Sequence, residues 1–416
     1  MTESFRAVVP PSGPIDGPVL LPGSKSLTNR ALLLAACAKG TSRLSGALKS
    51  EDTQYMADAL RAMNVTVREP SPDGFELEST GELSIPSQTL FLGNAGTAVR
   101  FLTALCATLP GSITLTGDQH MRRRPIGPLV ATLRNAGVDI RDTDGCPPVT
   151  VAGTSHWRSP LDIDASLSSQ YVSALLMASA RTTAPIDIRL KSDAIGAKGY
   201  IALTIDLMRS FGIRVEALGS GYRVFPGRYQ AGDHRIEADA SAATYFWAAE
   251  KLTAGRIALG IDPHASGQPD AACFDIIQSH PNLPRRIDGA QMQDAIPTLA
   301  MVAALSHGCV QFVNVGGLRV KECDRITAIC RGLNAIAPDI ADEGADHFTI
   351  HGNRELRAHR APVSIESYDD HRIAMSFAIL GLRVAGLAIR NPDCVGKTYP
   401  NFWNALADLG VDTIDS

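Results

Sequence analysis

Lys25 and Arg30 flank a helix start opened by Gly23 and Ser24 in Leu21-Pro22-Gly23-Ser24-Lys25-Ser26-Leu27-Thr28-Asn29-Arg30, with the Ser26 hydroxyl between them. Two cations and a hydroxyl beside the unpaired N–H groups of a helix start form a cradle for a carboxylate or phosphate. The Gly-x4-Gly-Lys-Ser/Thr spacing of a nucleotide phosphate loop is absent, which argues against ATP. Leu92-Gly93-Asn94-Ala95-Gly96-Thr97 packs small residues where a ligand can touch the backbone directly. In Met121-Arg122-Arg123-Arg124-Pro125-Ile126, Arg122 and Arg123 read as a solvated face. Arg124, next to the rigid proline, suits bidentate recognition of a carboxylate or phosphate. Ser168, Ser169 and Gln170 supply short donors at another helix start, as an ordinary cap also would.

The second half carries a matching set. Asp294 stands at the mouth of an otherwise apolar helix, as a cap or as an acid with work to do. In Leu318-Arg319-Val320-Lys321-Glu322-Cys323-Asp324-Arg325, helical spacing brings Lys321 one turn from Asp324 and Arg325; the bland reading is a surface ion pair. Asp369-Asp370-His371-Arg372 and Gly396-Lys397-Thr398 each put a cation beside a turn. Asp369, Asp370 and His371 lack a second His or Cys at ligand spacing, so no metal site is expected there.

These motifs need elements to hold them, and a repeat supplies the elements. A turn rich in Gly, Ser, Asp or Asn followed by an Ala- and Leu-rich helical stretch recurs six times, the helical parts being Ala31–Ala38, Arg100–Ala107, Tyr171–Ala180, Ala242–Leu252, Ala295–Leu305 and Ile373–Leu382. Between them lie β-rich pieces such as Ile113–Leu115, Val149–Val151, Ile186–Leu190, Tyr222–Phe225, Val310–Val313 and Phe348–Ile350. The class is α/β, with three copies on each side of a boundary near Tyr229–His234. A chain of 416 residues, 45% hydrophobic, has material for two cores. A net charge of −4 with mixed signs gives no field for nucleic acid or an anionic membrane, so an anionic ligand must be held locally. The expected protein is soluble and unprocessed, without the ~18-residue apolar run of a membrane span. Its eight cysteines, without a C-x-x-C pair, suit a reducing cytoplasm.

Taken in order from Leu21 to Phe402, Leu-Pro-Gly-Ser-Lys-Ser, Leu-Gly-Asn-Ala-Gly-Thr, Arg-Pro-Ile, Ser-Ser-Gln, Arg-Val-Lys-Glu, Asp-His-Arg and Lys-Thr resemble the enolpyruvyl transferase family, and within it the enolpyruvylshikimate-phosphate synthases. The resemblance implies two inside-out α/β barrel-like domains, each of three βαβαββ-type units, joined by a hinge and closing around substrates. Residues 21–235 would form the first domain, and 1–20 with 236–416 the second. It implies transfer of the enolpyruvyl group of phosphoenolpyruvate to the 5-hydroxyl of shikimate 3-phosphate, in the pathway to chorismate and the aromatic amino acids, with no cofactor. Shikimate 3-phosphate would meet Lys25, Ser26, Arg30, Ser168, Ser169, Asp294 and Lys321. Phosphoenolpyruvate would meet Lys25, Gly96, Arg124, Arg325, Arg372 and Lys397, with Gln170 between the two ligands. Together the ligands bring about five or six negative charges, which burial tolerates only when they are paired.

On that resemblance Asp294 is the base for the hydroxyl, and Glu322 and Lys25 are candidates for the C3 proton and the departing phosphate. The C–O bond breaks rather than the P–O bond, so no Mg²⁺ clamp is required. Three positions depart from the usual pattern: Ala197 where serine is common, Gly317 where asparagine is common, and Phe101 where proline is common. A sister activity on UDP-N-acetylglucosamine uses a loop cysteine that Asp118–Arg124 lacks. A specialised transferase with another acceptor and a non-catalytic anion-binding protein on the same fold are the other readings. A cytoplasmic monomer with small-molecule partners, no nucleic acid and no membrane is expected.

Overall fold

The computed structural model describes residues 4–192, 195–359 and 362–415. Residues 1–3 and 416, the outer ends of the expected second domain, lie outside them. Two compact units form: Gly23–Ala238, and the residues up to Pro22 together with those from Asp239 onwards. The first unit thus starts and ends two or three residues later than the expected 21–235. The chain crosses between units beside itself, with Gly23 bridged to Ala238 and the Ser24 N–H donating to the Glu237 carbonyl at 2.9 Å.

Among the described residues of the Gly23–Ala238 unit six helices form: α1 (Lys25–Cys37), α2 (Glu51–Ala62), α3 (Gly96–Cys106), α4 (Gly127–Asn135), α5 (Ser169–Ser179) and α6 (Gly199–Ser210). The other unit carries α7 (Ala240–Thr253), α8 (Cys273–Gln278), α9 (Ile296–Ala304), α10 (Arg325–Ile336), α11 (His371–Gly381) and α12 (Phe402–Asp408). Alternate helices differ in kind. Every residue of α3, α9 and α11 is buried, and nearly all of α1, α5 and α7. Such helices, apolar all round, belong inside a core. In α2, by contrast, one stripe of Asp52, Thr53, Met56, Ala57, Ala59 and Leu60 is buried and the rest faces out.

Among the described residues, five four-stranded sheets share one design. Leu90–Phe91 runs parallel to Ser112–Thr116, which pairs antiparallel with Cys146–Ala152, itself antiparallel to Asp139–Thr143. Arg286–Asp288, Gly308–Val313, Phe348–Gly352 and Ala341–Glu343 repeat that order, as do Leu161–Ile163, Ile186–Leu190, Gly221–Val224 and Val215–Leu218. Two sheets are completed by distant chain. Asp233–Arg235 lies parallel to Lys39–Ser45, and Phe5–Val8 pairs with both Leu387–Arg390 and Thr413–Asp415. The sixth sheet is a two-stranded pair, Arg256–Ala258 with Asp16–Pro18. The helices α1, α3, α5, α7 and α11 start before their Ala/Leu-rich runs, so Lys25, Ser26 and Gly96 are first-turn helical residues rather than turn residues, whereas α9 starts at Ile296, one residue inside its run. Among the described residues no helix is long and apolar enough to cross a membrane.

Candidate active site

In the Gly23–Ala238 unit, Lys25 is the first residue of α1, and its ammonium pairs with Asp52 at 3.1 Å. Asp52 sits in the first turn of α2, behind a capping box of Ser50 and Thr53. Arg30 is 1% exposed. Its Nε donates to Thr204 Oγ1 at 2.7 Å, and its terminal nitrogens donate to the Ser26 carbonyl at 2.8 Å and Ser173 Oγ at 3.2 Å. The rings of Phe101 and Tyr200 flank it at 4.9 and 5.6 Å. One guanidinium therefore ties α1 to α3, α5 and α6. Among the described residues no carboxylate pairs with it, and burial pulls its pKa down to about 10, against a smaller opposing effect of Tyr200.

At the start of α3, Gly96 lies against Arg124: a Cβ there would stand 2.6 Å from the guanidinium carbon. Arg124 follows the 3-10 turn Met121–Arg123 in extended backbone and donates to the carbonyl and side-chain oxygens of Asn94 at 3.2 and 3.1 Å. It is buried, whereas Arg122 and Arg123 are exposed. Ser168 caps α5 by accepting from the Gln170 N–H at 3.2 Å, and Ser169 is buried behind it. The Gln170 amide donates to Thr97 Oγ1 at 3.2 Å and accepts from Arg100 at 2.5 Å. Arg100 in turn lies over the Tyr171 ring and donates to the Pro125 carbonyl at 3.3 Å. The first turns of α3 and α5 are thus one hydrogen-bonded network.

In the other unit the helical turn expected across Lys321 and Arg325 does not form. Lys321 follows the 3-10 turn Gly316–Val320, and α10 begins only at Arg325. The reason is Asp324, an N-cap in extended backbone that accepts from the Thr327 N–H at 3.1 Å and from Arg319 at 2.6 Å. Arg325, 1% exposed, becomes the hub. It donates to Asp370 at 2.7 and 3.2 Å, to Asp294 at 2.9 Å and to Glu322 at 2.8 Å. Arg372 donates to the second oxygen of Asp294 at 2.9 Å. Burial alone would raise the Asp294 pKa, but Arg372, Lys321 and Arg325 outweigh it and hold this carboxyl well below the usual range. The Arg372 guanidinium, despite burial, is driven above its ordinary value by Asp294, Tyr245, Asp239 and Asp270.

Further acids surround these arginines. Asp370 caps α11 by accepting from the Arg372 N–H at 2.8 Å; Asp239 caps α7 through the Ser241 and Ala242 N–H groups. Asp270 accepts from Ser241 Oγ at 2.6 Å. Burial, with help from Asp294, raises Asp270 to about 6. Lys397 ends a 3-10 turn, Pro392–Lys397, that packs on α11. Gly317 has a steric reason: a Cβ there would come 2.8 Å from Nε2 of the buried Gln293. The space an asparagine would enter at 317 already abuts an amide. Ala197 sits in left-handed backbone at φ 53°, in the turn before α6.

Residues 9–276 and 268–406 match the family of EPSP synthase, 3-phosphoshikimate 1-carboxyvinyltransferase. The chain belongs to the EPSP synthase family. It is 54% identical over 414 residues to the 3-phosphoshikimate 1-carboxyvinyltransferase of Rhizobium leguminosarum bv. trifolii, covering 99% of each chain. To that of Pseudomonas savastanoi pv. phaseolicola it is 53% identical over 411 residues, 98% of each. Among solved structures, EPSP synthase from Acinetobacter baumannii superposes with a TM-score of 0.79 at 25% identity over the whole of both chains. The enolpyruvyl transferase NikO from Streptomyces tendae reaches a TM-score of 0.78 at 17% identity, over 100% of this chain and 99% of that one. The fold is therefore common to EPSP synthases and another enolpyruvyl transferase, and it is the sequence that assigns the family.

Within this EPSP synthase framework several neighbours of the predicted residues escaped the sequence reading. Asp239 and Asp370 were visible as acids before helices, but nothing local showed that they would face arginines. Asp52, Asp270, Ser173 and Thr204 gave no signal, because each reaches its partner only through packing of helices distant in sequence. Arg100 was in view as the first residue of the Arg100–Ala107 helical run; its link to Gln170, 70 residues on, was not.

Proposed function

We propose a division of labour for the reaction of the chain's family: enolpyruvyl transfer from phosphoenolpyruvate to the 5-hydroxyl of shikimate 3-phosphate, with release of phosphate. Lys25, Ser26, Arg30, Ser168, Ser169, Asp294 and Lys321 hold shikimate 3-phosphate. Gly96, Arg124, Arg325, Arg372 and Lys397 take phosphoenolpyruvate, with Lys25 and Gln170 serving both. The observation that carries this reading is the placement of Lys25, Ser26, Gly96, Ser169, Gln170 and Arg372 in the first turns of buried helices, where backbone N–H groups and the helix dipole favour anions. Arg30 adds to it, as a buried cation with which no carboxylate among the described residues pairs.

Asp294 is the base for the hydroxyl. A carboxylate clamped by two guanidinium groups is a weak base. The carboxylate and phosphate of phosphoenolpyruvate compete for the same N–H donors, and each bond they take from Asp294 raises its proton affinity. The freed carboxylate removes the hydroxyl proton as oxygen adds to C2 and C3 gains a proton; the tetrahedral intermediate then expels phosphate. Glu322 and Lys25 handle the C3 proton and the phosphate. Eight free cysteines support a reducing, cytoplasmic setting, and the working form is a monomer.

The test is phosphate release from phosphoenolpyruvate with shikimate 3-phosphate or UDP-N-acetylglucosamine as acceptor, in EDTA. Release with shikimate 3-phosphate alone is expected. Release with neither, while titration calorimetry shows both ligands binding, would instead make the protein a non-catalytic binder.

A further inference from the structure

The outer face of one sheet carries chemistry that enolpyruvyl transfer does not use. Cys309 and His351 are directly opposed in the antiparallel ladder of Gly308–Val313 and Phe348–Gly352. Asp342, on the edge strand Ala341–Glu343, lies opposite Thr349, two residues from His351. Val310, Phe312, Phe348 and Ile350 point into the core, so the pleat sends Cys309, His351 and Asp342 to the solvent face, where all three are exposed. Cys309 Sγ lies 3.1 Å from His351 Nδ1, and His351 Nε2 lies 2.6 Å from Asp342 Oδ2. An ionised carboxylate only accepts, so Nε2 carries the imidazole proton and Nδ1 is left to accept from the thiol. This is a nucleophile, a base and a group that orients the base. It is not one metal's ligand set, since His351 turns a different nitrogen to each partner.

We propose that Cys309 is a base-assisted nucleophilic thiol and a site of reversible oxidation by hydroperoxides. As the sulfur attacks the terminal peroxide oxygen, His351 takes the thiol proton; the S–O bond forms, the O–O bond breaks, and His351 returns the proton to the departing alkoxide. The products are a sulfenic acid and an alcohol. A low-molecular-weight thiol such as glutathione then attacks the sulfur, forming a mixed disulfide and releasing water, and a second thiol restores Cys309. Asp342 is a positioning residue. Accessibility favours this cysteine over the other seven, which are buried or partly buried.

The experiment treats the full-length protein with iodoacetamide and, separately, with tert-butyl hydroperoxide followed by glutathione, reading each cysteine by peptide mass spectrometry over time. Cys309 is expected to react first in both arms and faster than free glutathione at the same pH. His351→Gln should slow its alkylation by about 10²-fold, the lower end of the range for a lost general base. Asp342→Asn should slow it too, with Asp342→Glu restoring the rate. These are exposed surface substitutions that leave the core intact, and Cys309→Ser should keep full enolpyruvyl transfer. A Cys309 that reacts no faster than glutathione, or a rate indifferent to His351→Gln, overturns the proposal.

Discussion

Replacing Asp294 with Asn keeps the shape of the side chain but removes one charge from between two arginines. The native carboxylate accepts from Arg325 and Arg372 at 2.9 Å each. An amide has one accepting oxygen, so one arginine bond is lost and the amide N–H group faces a guanidinium donor. A lost charge-assisted hydrogen bond is worth ~1.5–3 kcal/mol. The side chain is 27% exposed, so water makes good part of the loss and ~1–2 kcal/mol remains. For a unit of this size that lowers the thermal midpoint by roughly 2–8 °C. The folded-state pKa lies below the unfolded one, so the stability Asp294 lends is present above the unfolded value of ~3.9 and lost only as pH falls through the folded value. The gap between the two proteins should therefore be constant from about pH 6 to 8. Turnover should suffer far more than stability, with kcat down ~10²–10⁴-fold for loss of the base. KM for phosphoenolpyruvate should hold or fall, because one of Arg325 and Arg372 gains a free donor. Steady-state phosphate release with each substrate varied separates the two parameters. A kcat within about threefold of the parent, or a loss confined to KM, would refute the assignment of Asp294 as base.

Asp270→Asn should stabilise the protein at pH 8 by ~1–3 kcal/mol and do little at pH 4, because an acid raised from 3.8 to about 6 by burial resists ionising as pH rises through 6; urea unfolding at the two pH values reads the difference. Gly96→Ala drives a methyl into the Arg124 guanidinium, so KM for phosphoenolpyruvate should rise about tenfold or more with little change in the thermal midpoint; an unchanged KM would separate Arg124 from that ligand. Arg30→Met should cost ~3–5 kcal/mol, since it strips partners from Thr204, Ser173 and the Ser26 carbonyl inside the helix core. Denaturant titration checks it. A loss below about 1 kcal/mol would assign Arg30 to ligand alone.

The repeat, the α/β class and the cations follow from local residue pattern alone. Apolar runs such as Ala295–Leu305 can only be core helices, and short residues ahead of them mark helix starts, so the six units were legible locally, though not that Lys25, Ser169 and Arg372 would already lie in the first helical turns. So was the contrast between exposed Arg122 and Arg123 and buried Arg124, because proline fixes the backbone beside only one of them. Pairing, by contrast, depends on how distant elements pack. Whether Arg325 meets Lys321 or Asp370 depends on where α10 begins and on what packs against it, and Asp370 is 45 residues away. The same holds for Lys25 with Asp52, Arg30 with Thr204, and Asp294 between its two arginines. It holds again for Cys309, which reads as one more scattered cysteine until strand register sets His351 opposite and Asp342 beside it. Periodicity follows from the geometry of a single element, whereas the charge state of a buried group depends on neighbours that only the packing of several elements brings within a few ångströms.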